Sequence, residues 1–195
     1  MIQASASRRF SRCNSCLIVV DAQVGFLNHA EPDLRHGLEA RIAWLGRAAA
    51  ELRIPCLVTL EEPHRNGPLL PNVARALPSG VATRDKQSFG LAGQPDILAA
   101  VKAMGRSHCV LVGMETDVCV AQSALGLLDH GFSVAAVTDA CFSLPPFHAA
   151  GLARMAAAGV TLLTSKALYF EWAENLFTHE RLKAALDPPP DGISY

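Results

Sequence analysis

Three residues of reactive type, Asp21, Lys86 and Cys119, lie far apart in the chain, yet each follows closely on a short apolar run. A carboxylate, an ammonium and a thiol together make a nucleophilic site. An acid at the end of an apolar strand is costly to bury alone; a nearby ammonium holds it ionised, and a thiol can donate to it. Cys119 supplies the attacking atom. It sits in "GMETDVCVAQSALGLLDHG", Gly113 to Gly131, where an apolar run gives way to an irregular turn and then to helical spacing. A thiol at a helix N-terminus faces unpaired backbone N–H groups and the positive end of the helix dipole, which favours the thiolate. The turn "GMETD" also lets backbone N–H groups converge on one point, as an oxyanion requires. On position alone, a small buried core residue accounts for Cys119 as well.

These residues have to be positioned by elements that the apolar pattern makes legible. Short β-rich runs fall at Cys16 to Val20, Pro55 to Leu60, Gly80 to Arg84, Cys109 to Val112, Ser133 to Thr138 and Val160 to Leu163. Between them lie segments of helical spacing at Asp33 to Leu52, Pro95 to Met104, Asp117 to His130 and Phe147 to Ala158. Strands alternating with helices predict βαβ units, a parallel sheet and a three-layer α/β/α sandwich. Gly105, Gly131 and Gly159 stand where each helix should end. Phe170 to Leu186 predicts one or two closing helices, stopped by "DPPPDG". In this scheme Asp21, Lys86 and Cys119 all reach the carboxyl edge of the sheet, where open α/β folds bind ligands.

Composition narrows the function further. The 195 residues fit one domain, 13–195, with residues 1–12 read as a disordered extension, Ser- and Arg-rich and free of acid. A net charge of −1 gives no field to draw the chain to nucleic acid or anionic lipid, and a small-molecule partner fits better. With no apolar run of about 20 residues and no secretory signal, the expectation is a soluble cytoplasmic protein. Six cysteines without an export signal predict reduced thiols. The pair Cys13 and Cys16, "CNSC", precedes a strand instead of opening a helix, which argues against a thioredoxin-like role.

The motifs "LIVVDAQVGF", "RDKQSFG", "GMETDVCVAQSAL" and "GFSVAAVTDA" together resemble the isochorismatase-like cysteine hydrolases, over about Cys16 to Asp191. The resemblance implies a six-stranded parallel sheet of order 3-2-1-4-5-6, and a catalytic Asp21, Lys86 and Cys119. It implies oxyanion donors at the backbone N–H groups of Glu115 and Cys119, and a cis peptide between Met114 and Glu115. It also implies cofactor-free covalent catalysis in a homo-oligomer. Asp21 would take the thiol proton and return it to the leaving group, and water would hydrolyse the thioester that remains. Large apolar residues in Tyr169 to Leu182 (Phe170, Trp172, Leu176, Phe177), on a surface one domain would leave uncovered, fit subunit contacts.

This sequence departs from the family in places. Its nicotinamidases bind a metal through an Asp-x-His element, where this chain has "TLEEPHRNGPLL"; Glu61, Glu62 and His64 have the wrong spacing, and the reading is solvated loop residues and no metal. Isochorismatases proper lack the cysteine. In the small isochorismatase-domain proteins of undefined substrate, "VTEQ" follows the second strand; here it is "VTLE". Candidate pocket residues are Gln23, Phe26, Phe89 and Thr116, with Gln23 able either to bind substrate or to tie down a loop. Asp139 and Cys141 are placed after the fifth strand, with Asp139 capping or orienting a loop. His29, His36 and His148 form no constellation. The expected activity is hydrolysis of a small amide or related C–N bond. The alternatives are a catalytically weak binding or assembly protein, or a thiol redox protein pairing Cys119 with Cys141 or the CxxC.

Overall fold

The computed structural model describes residues 8–28 and 30–195; residues 1–7 and His29 lie outside the described residues. Six strands form one parallel sheet: β1 (Ser15–Val20), β2 (Cys56–Glu61), β3 (Ala82–Lys86), β4 (His108–Met114), β5 (Ser133–Phe142) and β6 (Thr161–Leu163). Their order is β3-β2-β1-β4-β5-β6, so the sheet reverses its direction of growth between β1 and β4. The helices are α1 (Pro32–Glu51), α2 (Pro63–Asn66), α3 (Pro71–Ala76), α4 (Pro95–Ala103), α5 (Ala121–Asp129), α6 (Phe147–Ala157), α7 (Ser165–Ala173) and α8 (Leu176–Ala185).

The continuous apolar strands follow from burial on both faces. Leu17, Val19, Val110 and Val112 join one core cluster with Ile42, Trp44 and Leu45 of α1 and with Tyr169 and Trp172 of α7. The residues between them, Cys16, Ile18, Cys109 and Leu111, join a second cluster with α4, α5 and α6. Successive side chains on a strand point to opposite faces, so one sheet builds two cores.

Some boundaries differ from the sequence pattern. Lys86 is the last residue of β3 and pairs with Glu61, the last of β2. The expected helix from Asp117 begins instead with a single wide turn, Thr116–Val120, before α5. β5 runs on to Phe142, so Asp139 and Cys141 lie within it. Asp139 accepts from Ser165 N (2.7 Å) and Oγ (2.6 Å), holding the start of α7. Trp172 is core, fully buried, whereas Leu176 and Phe177 are 80% and 82% exposed. At the N-terminus, Phe10 is buried beside His108 and its N–H is held by Glu171 of α7, while Arg12 pairs with Glu174 and donates to Thr178 of α8, so this part of the expected extension is packed on the domain.

One glycine sets how closely β1 and β4 approach at their carboxyl ends. Gly113 has φ 122°, and a Cβ there would lie 1.9 Å from the Val20 carbonyl oxygen, next to Asp21. Gly113→Ala is expected to destabilise the fold by more than about 1 kcal/mol, because both the backbone angle and the contact are closed to a side chain. A thermal melt unchanged from wild type would contradict this.

Candidate active site

Asp21, Lys86 and Cys119 meet at the carboxyl edge. Asp21 directly follows β1 with φ 46°, a left-handed conformation that Asp tolerates better than most residues. Its Oδ1 accepts from Thr59 Oγ1 at 2.8 Å, and Lys86 Nζ stands 2.9 Å from its Oδ2. Lys86 also donates to the Ser88 carbonyl (2.8 Å) and to Glu61 Oε2 (3.1 Å). These two hydrogen bonds and the ion pair with Asp21 are what allow a lysine to be fully buried here. Cys119 lies in the wide turn ahead of α5, its Sγ 3.6 Å from Lys86 Nζ and 3.0 Å from Glu61 Oε2, to which the thiol donates.

Glu61 is the member that sequence reasoning missed. It had been set among solvated loop residues with Glu62 and His64. In fact it ends β2 beside Lys86 and points its carboxylate at the Cys119 thiol, while His64 is exposed. The available signal was register: the last residues of adjacent parallel strands lie side by side, and "VTLE" put an acid at that place. Gln23, one of the pocket candidates, fixes Glu61 instead. Its Oε1 accepts from Glu61 N (2.7 Å), and its Nε2 donates to the carbonyls of Glu61 (3.1 Å) and Gly67 (2.8 Å). The loop-tying role is the one the geometry gives it.

The donor atoms of Asp21, Glu61 and Cys119 all lie within 4.8 Å of one another. The Lys86 ammonium touches all three, so a side chain supplies the positive charge that such a cluster calls for. Burial raises the Cys119 pKa, the Asp21 charge and the hydrogen bond to Glu61 raise it further, and Lys86 opposes them; the net effect is upward. These influences from outside the turn oppose the pull of the helix N-terminus on the thiol. For Asp21, burial raises the pKa against the pull of Lys86 and of its hydrogen bonds. For Lys86, burial alone would lower the pKa, but Asp21 outweighs it, and the ammonium is held above its ordinary value.

Other candidates fall around this cluster. The Met114–Glu115 peptide is cis, and the carbonyl of Glu115 accepts from Val118 N and Val120 N, closing the turn that carries Cys119. Helix α6 presses on that turn at Gly151, where a Cβ would meet Asp117 Cα at 2.7 Å. Thr116 is buried and hydrogen-bonds His148 Nδ1 at 2.9 Å. Phe26 packs against the first core cluster, and Phe89 is 56% exposed. A cavity of 410 Å³ beside the end of β5, lined in part by Leu38, Arg41, Asp139, Phe142 and His148, does not include the thiol. Cys16 is at the opposite end of β1 from Asp21, about 16 Å away for five residues of strand, so the CxxC is out of disulfide reach of Cys119.

Comparison with known proteins places this architecture. Residues 15–167 match the isochorismatase domain family. A probable hydrolase of Escherichia coli, YcaC, is 31% identical over 162 residues, covering 80% of this chain and 76% of that protein. The crystal structure of E. coli YcaC, described as an octameric hydrolase of unknown specificity, superposes with a TM-score of 0.83 at 26% identity, covering 93% of this chain and 90% of that one. YcaC from Pseudomonas aeruginosa, solved with hexane-2,5-diol and covalent acrylamide, gives a TM-score of 0.79 at 28% identity, covering 88% and 86%. The chain belongs to the isochorismatase domain family of hydrolases, on the parallel sheet of order 3-2-1-4-5-6 that those structures share. Among the described residues, no helix is long and apolar enough to cross a membrane.

Proposed function

We propose that this protein is a cysteine hydrolase that cleaves a small amide or related C–N bond through a thioester on Cys119. The observation that carries this reading is the buried contact of Cys119 Sγ with a carboxylate at 3.0 Å and an ammonium at 3.6 Å: a nucleophile, a proton acceptor and a counter-charge in one place. In this scheme the thiol proton passes to a carboxylate of the cluster as Sγ attacks the carbonyl carbon. Backbone N–H groups of Glu115 and Cys119 hold the oxyanion. The C–N bond breaks, the amine leaves with the proton, and water activated by Asp21 releases the acyl group. Lys86 keeps Asp21 oriented and its charge balanced, and no step calls for a cofactor. Small substrates fit a nucleophile that is only 2% exposed. That a YcaC relative carries covalent acrylamide supports covalent reactivity toward a compact amide-bearing molecule. A screen of small amides for released ammonia tests the reading; absence of turnover across primary amides, ureas and N-carbamoyl compounds would refute it.

The octameric E. coli relative and the exposed Leu176 and Phe177 at the start of α8 support self-assembly. Light scattering is expected to give a mass of several chains, and a monomer mass independent of concentration would contradict it.

A further inference from the structure

We propose that the cavity between α1 and the end of β5 is a second binding site, which takes a small neutral molecule with an apolar body and one carbonyl oxygen and transmits its presence to Cys119. The cavity measures 410 Å³, within the range of small-molecule sites. At about 30 Å³ for each non-hydrogen atom, the share of a water molecule in the liquid, it holds roughly a dozen such atoms. Leu34 and Leu38 of α1 and Phe142 of β5 give it apolar walls. Cys119 is not in its lining, so the site stands independently of the hydrolase reading.

The polar groups of the lining set the chemistry of the occupant. Arg41 of α1 supplies the donor. Its guanidinium is fixed by the carbonyls of Gly37 (3.0 Å) and Asp191 (2.9 Å), and its Nε, buried 3.4 Å from Asp139 Oδ2, makes no hydrogen bond among the described residues. Both Asp139 oxygens already accept from Ser165, at 2.7 and 2.6 Å. A buried donor without an acceptor is costly, and a carbonyl oxygen in the cavity satisfies it. The occupant's charge follows from its surroundings. Asp139 offsets Arg41, the exposed Asp33 adds a negative charge, and burial holds the His148 imidazole below its ordinary pKa, hence neutral at pH 7. A carboxylate would meet surplus negative charge, so a neutral acceptor is favoured.

Two lining residues connect the cavity to the thiol. Ser143 Oγ donates to Asp117 Oδ1 at 2.6 Å, and His148 Nδ1 shares a hydrogen bond of 2.9 Å with Thr116 Oγ1. Thr116 and Asp117 open the wide turn in which Cys119 follows. A molecule packed against Ser143 and His148 holds these two bonds in place, and with them the turn. The occupant thereby restrains the opening that exposes Cys119, without touching it.

The test uses acetophenone, a compact ring bearing one ketone oxygen, beside ethylbenzene, which lacks the oxygen, and benzoate, which carries a charge. Saturation transfer from protein to probe is measured by NMR on the full chain in its solution assembly. Acetophenone is expected to bind, with ethylbenzene and benzoate about threefold weaker or less. Arg41→Lys keeps the charge facing Asp139 but loses the Nε donor, and should weaken acetophenone about fivefold with ethylbenzene unchanged. Leu34→Trp, at a lining position that is 47% exposed, fills the mouth and should abolish binding of both. Cys119 alkylation by iodoacetamide at about pH 8.5 reads the coupling, with the exposed Cys13 as reference. Saturating acetophenone should slow it about fivefold in wild type and leave it unchanged in Leu34→Trp. Slowing that persists in Leu34→Trp would put the probe at the thiol itself and overturn the inference. Equal binding of acetophenone and ethylbenzene, or binding without change at Cys119, would overturn it as well. No transfer to acetophenone in wild type would mean that another copy of the chain covers this face, and the site would fall.

Discussion

Cys119→Ser is expected to lower amide turnover by about a thousandfold or more with the fold intact. A serine hydroxyl is far harder to ionise than a thiol, and the groups around position 119 are arranged to receive the proton of a thiol, not to force one from an alcohol. The position is buried, small and adjacent to polar partners, so the hydroxyl keeps the hydrogen bond to Glu61 and the melting temperature should move little. Turnover and thermal unfolding of the same preparation decide the matter, and hydrolysis at the wild-type rate would end the thioester mechanism. Labelling adds a second check that departs from what the sequence suggests. The sequence points to Cys119 as the single reactive thiol, but burial and two carboxylates push it up, while Cys13 is exposed. At neutral pH Cys13 should therefore label first, and Cys119 should gain as pH rises. Burial also pushes Cys56 and Cys141 up, to about 12.

Lys86→Met should be the most damaging single change to stability. It leaves Asp21 and Glu61 on a buried sheet edge without the ammonium that both contact, at 2.9 and 3.1 Å. Removing one partner of a buried ion pair costs about 3–5 kcal/mol, because the remaining charge is left uncompensated. The pH dependence has a definite sign. Lys86 lowers the Asp21 pKa against burial, so its loss raises the folded-state value further above the unfolded one. A carboxyl with a raised folded pKa takes up a proton on folding, and the folded state gains stability as pH falls. The deficit of the variant relative to wild type should therefore shrink between pH 7.5 and pH 5 in urea unfolding. A deficit that stays constant or grows on acidification would show that Asp21 and Glu61 are not the groups left exposed. Turnover should fall in step, since Asp21 loses its orientation and Cys119 its one neighbouring positive charge.

Much of this protein could be read before its structure. The apolar runs are short, glycine-bounded and separated by helical spacing, so a parallel sheet with two helical layers follows from periodicity alone. Asp21 and Cys119 could be placed because the ends of strands in such a sheet share one edge, and the order of strands came from resemblance. Boundaries were less legible where tertiary contacts override local pattern. Asp117 to Cys119 carry helical spacing, but the close approach of α6 at Gly151 shapes a wide turn there. Phe10 looks like part of a polar extension until the space beside His108 is known.

The sequence by itself determined the fold, the edge on which the chemistry lies and the three residue types that meet there. Only the tertiary structure decided what surrounds the thiol and that a second carboxylate, Glu61, lies against it. A helix N-terminus is a local feature and argues for a thiolate. Burial, the Asp21 charge and the Glu61 hydrogen bond arrive from β1 and β2, distant in sequence, and together they oppose it. Glu61 looked like a loop residue because its neighbours Glu62, Pro63 and His64 are loop-like; the register of β2 on β3 sets it against Lys86. Register is fixed by hydrogen bonds between strands, and no single strand's sequence contains it.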